Sequence, residues 1–161
     1  MNPQSDAEKR LLLERARRFA AAPPREEEAV EVLVCEVGSA RVALELPLLR
    51  GVVRPDLTPL PDLPAGVLGV QSVRGEVVSV FSLAALLGEA DREDAAQRRL
   101  VLLETPHGTV GLRVDAVEGV QRAAVSKLRP APAGRAGVRG VLEGRTLLLE
   151  PLGLLGTLER G

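Results

Sequence analysis

Short apolar runs, each bounded by glycine, proline or charge, divide this chain into strands. Residues 30–37 form a nearly continuous apolar run that closes on a Gly38-Ser39 turn. Residues 41–46 alternate, with Val42, Leu44 and Leu46 on one face and Arg41, Ala43 and Glu45 on the other. Residues 47–51 read as a short helical turn with Pro47 at its first position. Residues 55–64 are proline-rich, which excludes a continuous helix there. Two strands follow, residues 67–73 and 77–81, joined at the tip Arg74-Gly75-Glu76. Gly75 supplies the positive backbone angle that a tight hairpin requires. A short helical turn ends at Gly88, and residues 89–97 form a charged connector. Strands at 100–104 and 109–114 flank a Pro106-His107-Gly108 turn. Residues 130–137 are a loop, a last hairpin turns at Glu143-Gly144, and residues 151–155 make a closing helical turn.

Ahead of this strand-rich region, residues 5–22 read as a helix that Ser5 or Asp6 can cap and Pro23-Pro24 stop. Leu12, Leu13, Ala16, Phe19 and Ala20 share one face of it. The expected division is therefore residues 1–28, helix and linker, and residues 29–157, one domain of two intertwined lobes. Each lobe corresponds to one copy of an internal repeat. Shifting the chain by 68 residues aligns Glu36 with Glu104, Val42 with Val110, Leu44 with Leu112, Gly51 with Gly119 and Val52 with Val120. The later hairpins correspond with a small slip: residues 66–70 resemble 137–141. Two copies are too few for a solenoid. Two small β-barrels packed on each other satisfy the pattern, because barrels remove free sheet edges.

Composition narrows the chemistry. Apolar residues make up 45% of the chain, yet there are two Phe and no Trp or Tyr, so Val, Leu and Ala must fill the core. A net charge of -1 argues against a strongly basic nucleic-acid binder, and the scarcity of aromatics argues against base stacking on a barrel. No apolar run approaches a membrane span and no signal-peptide core is present, which predicts a soluble cytoplasmic protein without membrane insertion. Cys35, the single cysteine, reads as a buried, inert thiol, and His107 as a surface turn residue. Asp115 and Glu118 read as a solvated or structural pair. No CxxC pair, phosphate-cradling glycine loop or Ser-His-Asp set occurs, so no metal, cofactor or catalytic residue is expected. What remains is recognition by surface. Arg74, held rigidly at a hairpin tip, is the candidate anchor.

Three motifs carry a family resemblance. Gly69, Val70, Val73, Arg74, Gly75, Leu83, Leu86, Leu87 and Gly88 keep the strand-turn-strand pattern of CheW-like domains. Residues 110–120 resemble the family's V-G-L-x-V-D-x-V-x-x-V, and Val138-Arg139-Gly140 with residues 147–150 resemble its closing motif. The resemblance covers about residues 29–155. It implies a mainly β fold of two five-stranded barrels with a hydrophobic core between them. It implies a non-catalytic adaptor that couples the cytoplasmic tip of a chemoreceptor to the regulatory domain of a CheA-type histidine kinase, in arrays beneath the membrane. The partner-binding set it suggests is Arg74, Gly75, Val73, Gly69, Arg50, Leu48, Gly111 and Val120, with Arg74 on the receptor-facing side. The chain departs from the pattern at Ser79, where proline is usual, at Ser82, where aspartate is usual, and at Arg50, where glutamate is usual. A glutamate there would pair with Arg74, so Arg50 either points away or alters the receptor-facing charge. Two other readings stay open: a diverged copy that binds one partner only, and a small-molecule-binding or enzymatic barrel.

Overall fold

The repeat read from the sequence is the plan of the fold. The computed structural model describes residues 29–92, 96–131 and 136–160, with side chains described through residue 156. The helix expected over residues 5–22 and the linker after it lie outside the described residues. The chain forms β1 (Ala29–Val37), β2 (Ala40–Glu45), β3 (Leu49–Val53), β4 (Val67–Val73), β5 (Glu76–Ser82), α1 (Leu83–Leu87), β6 (Arg99–Thr105), β7 (Gly108–Val114), β8 (Ala116–Ala124), β9 (Val138–Leu142), β10 (Thr146–Leu149) and α2 (Pro151–Arg160). Short 3₁₀ turns occupy Leu46–Leu48, Val125–Lys127 and Glu143–Arg145.

Two five-stranded sheets result, with strand orders β8-β1-β2-β10-β9 and β3-β6-β7-β5-β4. They correspond strand for strand, and their registers repeat 68 residues apart. Leu33 faces Leu44 in one sheet and Val101 faces Leu112 in the other. Leu33 faces Val120, and Val101 faces Val52. The exchange of β3 and β8 makes the lobes intertwined: β3 follows β2 in sequence yet pairs with β6, while β8 follows β7 yet pairs with β1. Each sheet also curls toward closure, because the chain leaving its exchanged strand returns to bridge its last hairpin. Thr58 bridges Val70 in one sheet and Arg129 bridges Val141 in the other.

These two bridges account for two buried glycines. A Cβ on Gly69 would lie 2.3 Å from the Thr58 carbonyl oxygen, and one on Gly140 would lie 2.6 Å from the Arg129 carbonyl oxygen. In the second sheet Gln71 reinforces the closure. It is buried, accepts a bond from the Asp56 amide at 2.6 Å and donates to the Arg54 carbonyl at 3.0 Å, so one amide side chain substitutes for strand pairing.

The core lies on both faces of each sheet. Between the sheets, Leu33, Cys35, Val42, Leu44, Leu83, Val101, Val114, Leu149 and Leu154 form a shared cluster. Inside the curl of the first sheet sit Val32, Val34, Ala43 and Leu148, and inside the second sit Val78, Val80, Leu100 and Leu102. Burying each such Leu or Val contributes about 1.5–3 kcal/mol, so aliphatic side chains supply this core without an aromatic centre. The alternation read over residues 41–46 holds: Val42 and Leu44 lie in the shared cluster and Ala43 on the opposite face, where the curl buries it fully. Residues 47–51 are a correction. The 3₁₀ turn ends at Leu48, and Leu49 onward is β3.

Candidate functional site

The hairpin of β4 and β5 is closed by two residues, since Val73 pairs with Glu76. Both central residues lie at positive φ, Arg74 at 52° and Gly75 at 83°, the turn whose twist matches antiparallel strands. Glycine was foreseen in that role, but Arg74 adopts it too. A side chain in this region costs about 1–3 kcal/mol, so the two-residue turn holds the Arg74 backbone under strain at the tip. Arg74 is exposed and makes no hydrogen bond or ion pair with any described residue. Beside it Val77 is 68% exposed. Below the tip, Ser82 caps α1 by accepting from the Ala85 amide at 3.1 Å. A serine there does the work that the usual aspartate would do. Gly88, at φ 73°, ends the helix.

Strand β5 runs parallel to β7, Ser79 opposite Val110, so the hairpin tip lies at the same end of the sheet as the Pro106-His107 turn. Val78 and Val80 point into the curl, leaving Val77, Ser79 and Phe81 on the other face. There Phe81, Val110, Pro106 and His107 meet Leu152 and Leu155 of α2 around an open cleft of about 490 Å³. The first sheet is filled at the corresponding place. Its corresponding residues, Val42, Leu147 and Leu149, are buried, and the chain after α1 folds over the Gly38-Ser39 turn. Arg92 donates to the Gly38 carbonyl at 2.7 Å, and Ser39 bonds Glu89 at 3.0 Å.

The eight residues singled out in the sequence do not converge. Val73, Arg74 and Gly75 form the hairpin end. Gly69 and Gly111 are buried and offer no surface to a partner; a Cβ on Gly111 would come within 2.9 Å of Leu100. Leu48 is half-buried beside the exchanged strand β3. Val120 on β8 is 55% exposed, and its repeat mate Val52 is 42% exposed. Each pairs with a shared-core residue, so the two mark where the core between the sheets reaches solvent. Arg50 has partners of its own. Its Nε lies 2.9 Å from Glu104, and it donates to Thr109 Oγ1 at 3.2 Å. Val52, Val77 and the cleft were missed because exposure of β-branched residues leaves no trace in a local pattern.

The titratable groups are structural where the sequence suggested it. Cys35 is buried, and desolvation, helped by the Glu118 carboxylate, pushes its thiol up to about 12. Asp115 is buried and accepts from the Gly38 amide at 2.5 Å, which ties β8 to the β1–β2 turn. Glu118 pairs with Arg41 at 2.5 Å. No group of three metal-ligating side chains occurs among the described residues, and no described helix is long and apolar enough to cross a membrane.

Comparison with known proteins agrees with this architecture. Residues 31–155 match the CheW-like domain family. The chemotaxis protein CheW of Rhizobium meliloti is 34% identical over 102 residues, which is 59% of this chain and 66% of that protein. Protein FrzA of Myxococcus xanthus is 32% identical over 118 residues, 73% of this chain and 72% of its own length. The scaffolding protein TtCheW of Thermoanaerobacter tengcongensis shares the fold, with a TM-score of 0.68 at 22% identity over 74% of this chain and 88% of that one. Repeat, strand exchange, hairpin motif and sequence relatives together place this chain in the CheW-like domain family.

Proposed function

We propose that this protein is a non-catalytic adaptor that couples the cytoplasmic tip of a chemoreceptor to the regulatory domain of a CheA-type histidine kinase, at receptor arrays beneath the membrane. The observation that carries this reading is Arg74, held at positive φ on an exposed hairpin tip, without a partner among the described residues, and at the same end of the sheet as an apolar cleft. An anchoring charge beside exposed apolar surface is the composition of an interface hot spot. The sealed Cys35 thiol and the structural use of Asp115 and Glu118 leave these groups to the fold, which disfavours the enzymatic reading. Arg50 supports a second reading, an adaptor that keeps one partner, because its charge is committed to Glu104 where the family pattern has a glutamate.

Titration calorimetry against a receptor-tip fragment and the kinase regulatory domain tests both readings. Wild type is expected to bind both. Arg74→Ala is expected to weaken receptor binding by about 2 kcal/mol, roughly thirtyfold, and kinase binding less. Its thermal unfolding should not move, since alanine keeps the same Cβ at the same φ. Equal receptor binding by wild type and Arg74→Ala would remove Arg74 from the site. Binding to the kinase alone would establish the one-partner reading.

A further inference from the structure

A second charged feature lies at the opposite end of the second sheet from Arg74. The exit of β3 supplies Arg54, the entry of β6 supplies Arg98 and Arg99, and the end of β7 supplies Arg113. Register brings these ends together, because Leu100 pairs with both Val53 and Arg113. The four arginines line one cleft of about 470 Å³ with Pro55 and Leu57 beside them.

The described carboxylates do not match this charge. Asp91 holds Arg113 at 3.2 Å. Asp115 lies 3.8 Å from the Arg98 Nε, too far for a hydrogen bond, and its other oxygen is taken by the Gly38 amide. Arg98 Nη2 donates to the Arg92 carbonyl at 2.7 Å, but its buried Nε has no acceptor among the described residues, and a buried donor left unsatisfied costs about 1–3 kcal/mol. Among the described residues Arg99 donates to two backbone carbonyls, those of Ala96 and Arg98. Arg54 meets no described acceptor. Nor does the repeat account for the cluster. The corresponding positions of the first sheet are Arg122, Val30, Glu31 and Glu45, and Glu45 pairs with Arg139 at 3.0 Å.

We infer that this cleft is a docking site for clustered carboxylates on an acidic segment of a partner protein, separate from the Arg74 surface. Guanidinium groups bind carboxylates through paired, charge-assisted hydrogen bonds. Pro55 and Leu57 offer apolar contact to a peptide backbone. Nucleic acid fits less well, because the lining holds no aromatic side chain for stacking and the whole chain carries a net charge of -1. The site stands independently of the adaptor assignment.

The experiment is proton–nitrogen NMR of the full chain, observing arginine Nε–H signals during titration with a hexaglutamate peptide. Hexaglutamine and inorganic phosphate serve as parallel titrants, and calorimetric melts confirm that each variant is folded. Saturable shifts confined to Arg54, Arg98, Arg99 and Arg113, weakening as salt rises, are expected. Arg54→Gln with Arg99→Gln should lower affinity about tenfold, while Arg122→Gln should not change it. Should the double variant fail to fold, Arg54→Gln alone gives the same reading, since Arg54 is exposed. Absence of shifts would overturn the inference. So would shifts spread equally over Arg50, Arg122 and Arg139, or saturable binding of phosphate without binding of the peptide.

Discussion

The two sheets share one backbone plan and differ in what they place on it. Their strand orders and registers coincide, yet Val32 and Ala43 in the first curl correspond to Leu100 and Gly111 in the second. One methylene has moved from one side of the packing to the other, and the volume is conserved. Gln71, which closes the second sheet, corresponds to Leu142 in the first. The cleft beside α2 and the arginine cluster lie in the second half, and the corresponding residues of the first half are buried or differ in charge. Positions that agree between the halves carry the fold, while the divergent positions hold the candidate recognition surfaces. Both hairpin tips nevertheless hold an arginine at positive φ, Arg74 at 52° in a two-residue turn and Arg145 at 61° in a three-residue one.

The bridges that close the sheets offer the strongest way to break this equivalence. Gly69→Ala drives a Cβ into the Thr58 carbonyl at a φ of 149°, and backbone cannot move aside as a side chain can. A loss of about 3 kcal/mol or more in urea unfolding is expected, with Gly140→Ala close behind. An unchanged midpoint would mean that the Thr58–Val70 bridge does not persist in solution.

The volume exchange gives a sharper test of smaller size. Gly111→Ala crowds Leu100 and should cost about 1–3 kcal/mol. Leu100→Val leaves a gap and should cost about 1 kcal/mol. Together they recreate the first sheet's contents, so the double variant should fall at least about 1 kcal/mol short of the summed losses. Strict additivity in this cycle would show that the two positions do not share space.

The smallest effect belongs to the tips. Arg74→Gly and Arg145→Gly should each stabilise the fold by about 0.5–1 kcal/mol by relieving positive φ, readable as a modest rise in the thermal midpoint. If only one of the pair responds, the two turns are not energetically equivalent.

Much of this was readable from local pattern. Residues 67–73 were bounded correctly because Gly66 and Gly75 punctuate a β-branched run, and the 68-residue repeat predicted equivalent registers. Cys35 announced its burial by its apolar neighbours. Strands β3 and β8 were harder. Leu49–Val53 contains a glycine, follows a proline and exposes every second residue, so its pattern is that of a turn. Its pairing with β6 is a long-range fact that no window on the sequence contains. The same limit hid Ala43, whose burial depends on a curl made by other strands, and the arginine cleft, whose members come from three separate strand ends. Arg74 was singled out as an anchor by its place at a hairpin tip, with the family motif agreeing, whereas its strain required the backbone angles.

The exchange of β3 and β8 also bears on how the chain is made. During synthesis β1 and β2 emerge first, and β3 then has no partner until β6 follows. The outer edge of β1 stays unpaired until β8 appears, more than 80 residues after β1 begins. Long-range pairings of this kind close large loops before they gain contacts, which slows folding and leaves strand edges open to other nascent chains. Neither half can complete a sheet alone, so a ribosome that stalls midway releases a chain with two unfinished edges. Separately expressed halves should, by the same logic, recover the fold only when they are made together.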